Sequence, residues 1–241
     1  MFRHKGKRRA YIHNLRLASM LSCVAGMVNV CGVLGLRVLT TNVTGHFAYF
    51  AEEFSKEAFK TAFIFLLFIF FFLLGAFISN TLVEVFSRLR PKMAYALPLS
   101  IEISILATIG FFADDYGWGD RFNYFLACAL LFAMGMQNAL VTKISTSRVR
   151  TTHLTGLFTD LGIELSQLFF YRNTVERQQL RKNIFLKMII IVFFFTGGTL
   201  GGILFAWFRF STFLFAASVL LVAMYYDLIR YRLYAVKRRL L

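Results

Sequence analysis

Long apolar runs dominate this sequence and restrict what the chain can fold into. The run from about 60 to 85 is almost entirely Phe, Leu and Ile, and about 20 such residues in a helix cross the roughly 30 Å hydrocarbon core of a bilayer. We therefore expect an all-α polytopic membrane protein with six transmembrane helices in a single membrane domain, 1–241. The predicted spans are about 17–36, 60–85, 94–112, 122–142, 184–207 and 210–228.

The formal net charge of +15 raises the question of a nucleic-acid partner. The basic residues lie between the spans, however, and no nucleic-acid-binding motif accompanies them. If the N-terminus is cytoplasmic, 22 of the 27 Lys and Arg residues fall on the cytoplasmic side, as the positive-inside rule requires. Both termini are therefore expected in the cytoplasm, with anionic lipid rather than nucleic acid as the partner. The cytoplasmic segments are the N-terminal arm 1–16, residues 88–92, 143–150 and 172–187, the last of these including a polar linker at 172–183, and the tail 229–241.

A short polar pattern occurs twice, each time after a glycine-containing apolar span. Residues 40–45 read Thr-Thr-Asn-Val-Thr-Gly and residues 151–156 read Thr-Thr-His-Leu-Thr-Gly; we call them the Thr-Gly segments. Other landmarks match in the same order, which predicts two repeats at about 17–113 and 122–228. With three spans each, the repeats enter the bilayer from opposite sides, an arrangement that recurs in secondary transporters. The other matched landmarks are residues 25–29 with 134–138, and Gly75-Ala76 and Ser79 with Gly197-Gly198 and Gly201.

The Thr-Gly segments, expected to be re-entrant or broken helices, favour a polar site at membrane depth. Thr44 or Thr155 can cap a short helix, and the following glycine lets backbone approach closely. A helix N-terminus suits an anion or a polar group; alternatively, the hydroxyls only cap and the glycines only pack. Asn29, Gln137 and Asn138 either bond helices together or line a path. The candidate residues for substrate binding or gating are Asn29, Thr41, Asn42, Thr44, Gly45, His46, Gln137, Asn138, Thr152, His153, Thr155 and Gly156.

Four acidic residues are candidates for proton coupling. Asp160 and Glu164 are spaced i, i+4 and share one helix face, and Glu53 holds the position matching Glu164 in the first repeat. Buried carboxylates can couple protons; the other interpretation is a solvated face at the membrane surface. Glu102 is the deepest acid, about 10 Å into its span, and either couples protons or pairs with Lys92 or Arg90.

No motif indicates an enzyme, a cofactor or a metal. A nucleophile elbow, a P-loop and a Cys-x-x-Cys pair are all missing from the sequence. His46 and His153 are isolated histidines, for which a hydrogen-bonding role is expected rather than metal binding. The residues assigned to helix packing are Gly75, Ser79, Gly197, Gly198 and Gly201.

Residues 135–139, Gly-Met-Gln-Asn-Ala, followed by 151–162, Thr-Thr-His-Leu-Thr-Gly-Leu-Phe-Thr-Asp-Leu-Gly, resemble the signature of the YoaK-like family of bacterial integral membrane proteins. The resemblance implies a six-span protein of the inner membrane, regarded in that family as a transporter without an assigned substrate. The family pattern usually has Asp where Asn29 stands and Asn where His46 stands. If that Asp is a proton-coupling carboxylate in the family, this chain lacks it, and the role does not carry over to Asn29.

Two classes of function remain. The first is a secondary transporter or permease for a small polar or anionic solute, working by alternating access; the alternative is a non-transporting membrane scaffold or partner subunit. The transporter requires both Thr-Gly segments to converge with Asn29 and Asn138 on a hydrated cavity, whereas the scaffold requires these groups to bond one another in a dry interface. A channel is a weaker third possibility, since no charged ring or filter sequence is present. The sequence does not specify the solute, the coupling ion or the oligomeric state.

Overall fold

The computed structural model describes residues 11–89, 93–114, 119–145, 154–170 and 174–237. Every regular element in these ranges is helical, which confirms the all-α prediction. A three-residue 3-10 turn, Arg209–Ser211, joins the last two helices. The helices are α1 (Tyr11–Leu36), α2 (Val43–Ser55), α3 (Phe59–Leu89), α4 (Ala96–Phe112), α5 (Asp120–Ser145), α6 (Leu154–Phe170), α7 (Thr174–Phe208) and α8 (Thr212–Lys237).

Four stretches of the described chain are long and apolar enough to cross a membrane: Ser19–Leu36, Phe59–Leu89, Arg121–Lys143 and Val175–Tyr225. The last of these, 51 residues long, contains α7, the 3-10 turn and most of α8. Helix α4 is also apolar but has 17 residues. The chain is therefore a multi-pass membrane protein.

Two segments expected to lie outside the spans are helical. Residues 174–183, predicted as part of a polar linker, form the first turns of α7, and residues 229–237, predicted as a tail, extend α8. Their polarity placed them outside the apolar spans, and it does not prevent helix formation. The segment 174–183 has neither Gly nor Pro and is rich in Gln, Arg, Lys and Glu, which favour helix.

Two helix pairs, α1 with α7 and α3 with α5, cross at glycines on both sides. At each crossing the backbones are so close that a methyl group on either glycine would overlap a carbonyl oxygen of the other helix. In every case this oxygen belongs to the residue three positions before the partner glycine. Small residues permit such close approach between helices in a membrane. The overlapping pairs are Gly26 with Phe194, Gly197 with Cys23, Gly75 with Phe132, and Gly135 with Phe72.

The residues assigned to helix packing lie at these two crossings. Gly75 and Gly197 are among the glycines just described, Gly198 lies against Val30, and Gly201 lies against Met27. The Ser79 hydroxyl donates a hydrogen bond to the carbonyl oxygen of Met136, at 3.0 Å. Contacts advance in the same order along both members of each pair, so α1 is parallel to α7 and α3 to α5.

Helices α4 and α8 are antiparallel neighbours. Ser100, near the start of α4, contacts the sulfur of Met224, which lies ten residues after Leu214 along α8. Gly110, near the end of α4, lies against Leu214 at the start of α8. The main hydrophobic core lies among α1, α4, α5, α7 and α8 and contains Leu21, Leu106, Leu130, Ile190 and Phe213.

One face of α3 consists of exposed large apolar side chains. Phe63, Leu66, Phe70, Leu73 and Phe77 recur at intervals of three and four residues, and all are exposed. A soluble protein rarely exposes so large a continuous apolar surface. This face is suited to contact with lipid chains, in agreement with the membrane assignment.

Asp114, just beyond the end of α4, holds the turn between α7 and α8. Its carboxylate accepts hydrogen bonds from the backbone N–H of Phe210 at 3.2 Å and of Ser211 at 2.9 Å, and from the Ser211 hydroxyl at 3.1 Å. Arg209, which has a positive φ of 45°, lies 3.9 Å from the same carboxylate. The ends of α4, α7 and the start of α8 are thereby fixed to one another.

Candidate functional site

The first Thr-Gly segment forms the turn between α1 and α2 and is fastened to α1. The Asn29 side-chain oxygen accepts hydrogen bonds from the backbone N–H of Thr41 at 3.2 Å and from the Thr41 hydroxyl at 3.0 Å. Thr40 is buried, with its methyl group against Gly32. Asn29 was expected either to bond helices together or to line a path. In the described geometry its side chain bonds the turn that follows its own helix.

The N-terminal cap of α2 is Asn42 and not Thr44. The Asn42 side-chain oxygen accepts a hydrogen bond from the backbone N–H of Gly45 at 3.1 Å. Helix α2 begins at Val43, two residues before the glycine, so Thr44 already lies in the first turn with an exposed side chain. The predicted capping role of Thr44 was wrong because the helix begins earlier than expected.

His46 anchors α2 to α3. Its ring is buried against Phe65 and Phe68, with ring centroids 6.1 and 5.3 Å away. The Nε2 atom lies 2.8 Å from the carbonyl oxygen of Leu39, which identifies Nε2 as the protonated nitrogen of a neutral ring. Burial lowers the pKa of His46, although the hydrogen bond to Leu39 raises it in part.

Because the pKa of His46 is lowered on folding, we expect the protein to lose stability in mild acid. The unfolded chain protonates its histidine near pH ~6.5, so the stabilisation by the neutral ring is complete above that pH and decreases below it. The thermal midpoint in detergent should fall between about pH 7.5 and 5.5 by a few degrees more in the parent than in His46→Gln, since about 1 kcal/mol corresponds to roughly 2–4 °C at this chain length. Identical pH dependence in both proteins would contradict this assignment.

The second Thr-Gly segment is described only from Leu154 onward. Thr152 and His153 lie outside the described residues. Thr155 and Gly156 lie in the first turn of α6, and the Thr155 side chain is exposed. Because α6 begins at Leu154, Thr155 is within the helix and does not cap it, so the expected capping role was wrong here too.

Two amides of α5 lie in the protein interior. The Gln137 side-chain nitrogen donates a hydrogen bond to the carbonyl oxygen of Leu21 on α1, at 2.8 Å. The side-chain oxygens of Gln137 and Asn138 are buried and have no hydrogen-bond partner within the described part of the chain. Gln137 thus joins α1 to α5 and keeps one unused acceptor beside that of Asn138.

Asp160 and Glu164 do share one face of α6, as their spacing predicts. Both contact Lys187 of α7: the Nζ atom lies 2.6 Å from Glu164 Oε1 and 3.8 Å from Asp160 Oδ2. The Lys187 and Glu164 side chains are only 15% and 14% exposed. The pair is therefore shielded by protein, while Asp160 is largely exposed.

The other two acids differ from each other. Glu53, on α2, pairs at 3.0 Å with Lys56, the residue just after the end of this helix, and Glu52 contacts the same lysine. Glu102 is fully buried in α4, and neither carboxylate oxygen has a hydrogen-bond partner among the side chains and backbone that the structure describes. Arg90 and Lys92, the predicted partners of Glu102, lie outside the described residues. A proton-coupling role remains a prediction for all four acids.

The structure distributes the described residues of the predicted substrate site over α1, the turn that follows it, α2, α5 and α6. Helix α2 packs on α3, whereas α6 packs mainly on α7. A groove of about 700 Å³ opens elsewhere, between α4 and α5, and is lined by none of the predicted substrate residues. Within the described residues no group of three or more His, Cys, Asp and Glu could hold a metal ion.

Sequence reasoning missed the partners of several charged residues. Lys187 was counted with the cytoplasmic linker, although it directly follows Leu186 and precedes an apolar run, a position where a lysine is unusual. The ion pair between Lys143 of α5 and Glu84 of α3 also went unnoticed. For Lys187, the available signal was a single lysine beside an apolar run. For the Lys143–Glu84 ion pair the sequence carried no signal, because the two residues lie on helices distant in the chain.

The comparisons with known proteins agree with a membrane protein. The profile of a family described as "Protein of unknown function (DUF1275)" matches residues 17–226. The chain is similar to the UPF0700 transmembrane protein YoaK of Bacillus subtilis (strain 168), with 24% identity over 185 residues, which cover 75% of this chain and 79% of that protein. No solved structure matches.

Proposed function

The chain belongs to the DUF1275 family of proteins of unknown function, and we propose that it is a secondary transporter or permease for a small polar or anionic solute. It would work by alternating access between two inverted repeats of three membrane spans each. The proposal assigns the chain no catalytic reaction and no cofactor.

The observation that carries this proposal is the likeness of the two glycine crossings. The first spanning helix of each repeat packs against the second spanning helix of the other repeat. These pairs are α1 with α7 and α5 with α3. In both, each glycine faces the carbonyl three residues before its partner. The antiparallel arrangement of α4 and α8 agrees with halves of opposite orientation. Two like halves that exchange conformations provide alternating access.

The helix lengths support a count of six spans. The 51 residues of Val175–Tyr225 would extend about 75 Å as one helix, more than twice the hydrocarbon thickness. The break at Arg209–Ser211 divides them into two spans. Helix α4, at about 25 Å, completes the six as a short span.

The charge distribution supports an orientation with both termini in the cytoplasm of a bacterial inner membrane. Arg37, Asp114 and Arg209 lie near one end of the bundle, since Gly35 packs on Phe210 and Asp114 holds the 3-10 turn. We assign this end, poor in basic residues, to the outside. The basic segments at the other end would then contact anionic lipid.

The scaffold remains the second candidate because of one observation. Asn29 and Gln137 are hydrogen-bonded to protein groups, Thr41 and Leu21, as a dry interface requires. In the transporter, the same bonds belong to a closed state. The exposed hydroxyls of Thr44 and Thr155 and the unused acceptor of Asn138 then serve the solute when the halves move apart.

A thermal-stability screen separates the two candidates. Purified protein in detergent would be heated with small anions, amino acids and metabolites, beside Thr44→Val and Thr155→Val. These variants keep side-chain volume at exposed helix positions, so we expect them to unfold within about 0.5 kcal/mol of the parent. A transporter predicts a solute that raises the midpoint of the parent and raises it less in at least one variant.

Two outcomes would favour the scaffold instead. In the first, no solute stabilises the parent. In the second, the valine variants are themselves less stable than the parent, which would mean that the hydroxyls hold the folded protein together and do not serve a ligand.

A further inference from the structure

Lys187 is the basic residue that the structure buries beside an apolar run of α7. Leu186 precedes it and Met188-Ile189-Ile190-Ile191 follows, and its side chain is 15% exposed. Transferring an ammonium group out of water is unfavourable unless a negative charge accompanies it. The position therefore requires an anion, and Glu164 supplies one at 2.6 Å.

The carboxylates around Lys187 come from α6, a helix that packs mainly on α7. Much of the α6 surface is exposed, including Phe158, Ile163 and Leu165. Among the described residues, the ion pair between Glu164 and Lys187 joins α6 to α7. Movement of α6 would uncover the ammonium group and leave it in need of another anion.

The first half has an uncharged residue at the position that matches Lys187. With the Thr-Gly segments aligned, Tyr49 of α2 matches Asp160, and with the crossing glycines aligned, Phe65 of α3 matches Lys187. Tyr49 and Phe65 do touch, with ring centroids 5.3 Å apart. The Asp160–Lys187 contact is therefore matched by an aromatic pair in the first half. Glu53, which matches Glu164, pairs there with Lys56 instead, so packing of the two helices does not require a lysine at the position of Lys187.

We propose that Lys187 binds the negative charge of the transported solute, a carboxylate, and that Glu164 occupies its place in the closed state. This inference rests on the proposed transport function and names the substrate class. The solute carboxylate replaces the Glu164 carboxylate on the ammonium group as α6 moves away. Glu164 acts as a built-in competitor, and its second oxygen, buried without a described hydrogen-bond partner, leaves without breaking another bond.

Opposite effects of two substitutions test this exchange. Acetate, succinate and inorganic phosphate would be titrated against the purified protein in detergent, with the thermal midpoint as the readout. Glu164→Gln removes the competitor, so the apparent affinity for acetate or succinate should rise by on the order of tenfold. Lys187→Gln should abolish the stabilisation by both carboxylates, whereas Lys187→Arg should keep it.

Controls guard against unfolding and general charge effects. Glu84→Gln breaks a second inter-helix ion pair among the described residues, with Lys143, and should leave carboxylate affinity unchanged. If Lys187→Gln does not fold because Glu164 is left without its partner, the double variant Lys187→Gln with Glu164→Gln restores neutrality and should fold without binding carboxylates.

The proposal is overturned if Lys187→Gln or the double variant is stabilised by carboxylates as the parent is, or if Glu164→Gln weakens the effect. It is also overturned if carboxylates stabilise neither the parent nor Glu164→Gln. Stabilisation by a neutral solute in that case would leave the transport function standing without this role for Lys187. Stabilisation by phosphate alone would assign the site to another anion and reject the carboxylate.

Discussion

Gly75→Ala is expected to destabilise the protein by about 3 kcal/mol or more, enough to remove most folded protein from a membrane extract. The added methyl group would overlap the backbone carbonyl oxygen of Phe132. A backbone atom has no alternative rotamer, so α3 and α5 must move apart, and overpacking of this kind is destabilising. Separation would also lengthen the hydrogen bond from Ser79 to Met136. The measurement is the yield of monodisperse protein by size-exclusion chromatography, together with the thermal midpoint.

Gly162→Ala is the matched control, since it makes the same chemical change in another helix. No atom of the described residues lies within 4 Å of the new methyl group at this position of α6. Alanine favours helix over glycine by about 1 kcal/mol, so this variant should be as stable as the parent or slightly more so. Equal behaviour of the two variants would mean that α3 and α5 do not approach as closely as the structure has them.

Asp114→Ala should lower stability by about 2–3 kcal/mol, the second largest effect expected. The carboxylate accepts three hydrogen bonds from Phe210 and Ser211, and hydrogen bonds to a charged acceptor contribute more than neutral ones. Its side chain is 26% exposed, so water replaces these bonds only in part. The thermal midpoint should decrease by about 4–10 °C.

Glu52→Ala provides the comparison, because it also removes an acid that contacts a basic side chain. Glu52 and Lys56 are 53% and 55% exposed, and exposed ion pairs contribute about 0–1 kcal/mol. The midpoint should change little. The loss of stability in Asp114→Asn, which keeps an acceptor oxygen, should lie between the losses in Asp114→Ala and Glu52→Ala. If Asp114→Ala loses no more stability than Glu52→Ala, the 3-10 turn holds without the hydrogen bonds to Asp114.

The helices were predictable from sequence because hydrocarbon imposes length and composition on each membrane-crossing segment. The apolar run at about 60–85 therefore defined α3 nearly to its bounds. The glycines at 75 and 197 were identifiable as packing residues for a similar reason: close helix approach excludes side chains. The helical state of the polar stretch 174–183, predicted only as part of a linker, was not predictable because its residues suit both water and helix; the structure shows that α7 includes it.

The candidate site was less predictable than the helices. The pattern of threonine and glycine located the start of α2 and α6, yet a shift of two residues moved the cap from Thr44 to Asn42. Glu164 was noted for its spacing to Asp160, but its partner lies on another helix. Sequence spacing reports neighbours within one helix, whereas the pairing of a half-buried charge depends on which helices meet.

The pairing of α1 with α7 has a consequence for how the chain is made. Cys31 and Gly201, which touch in the folded protein, are 170 residues apart. At a synthesis rate of ~5–20 residues per second, the ribosome reaches the second about 10–30 seconds after the first. During that interval the glycine face of α1 lies in the bilayer without α7. The nascent protein must therefore protect this surface with lipid, with α5 or with an insertion factor until its own C-terminal half arrives.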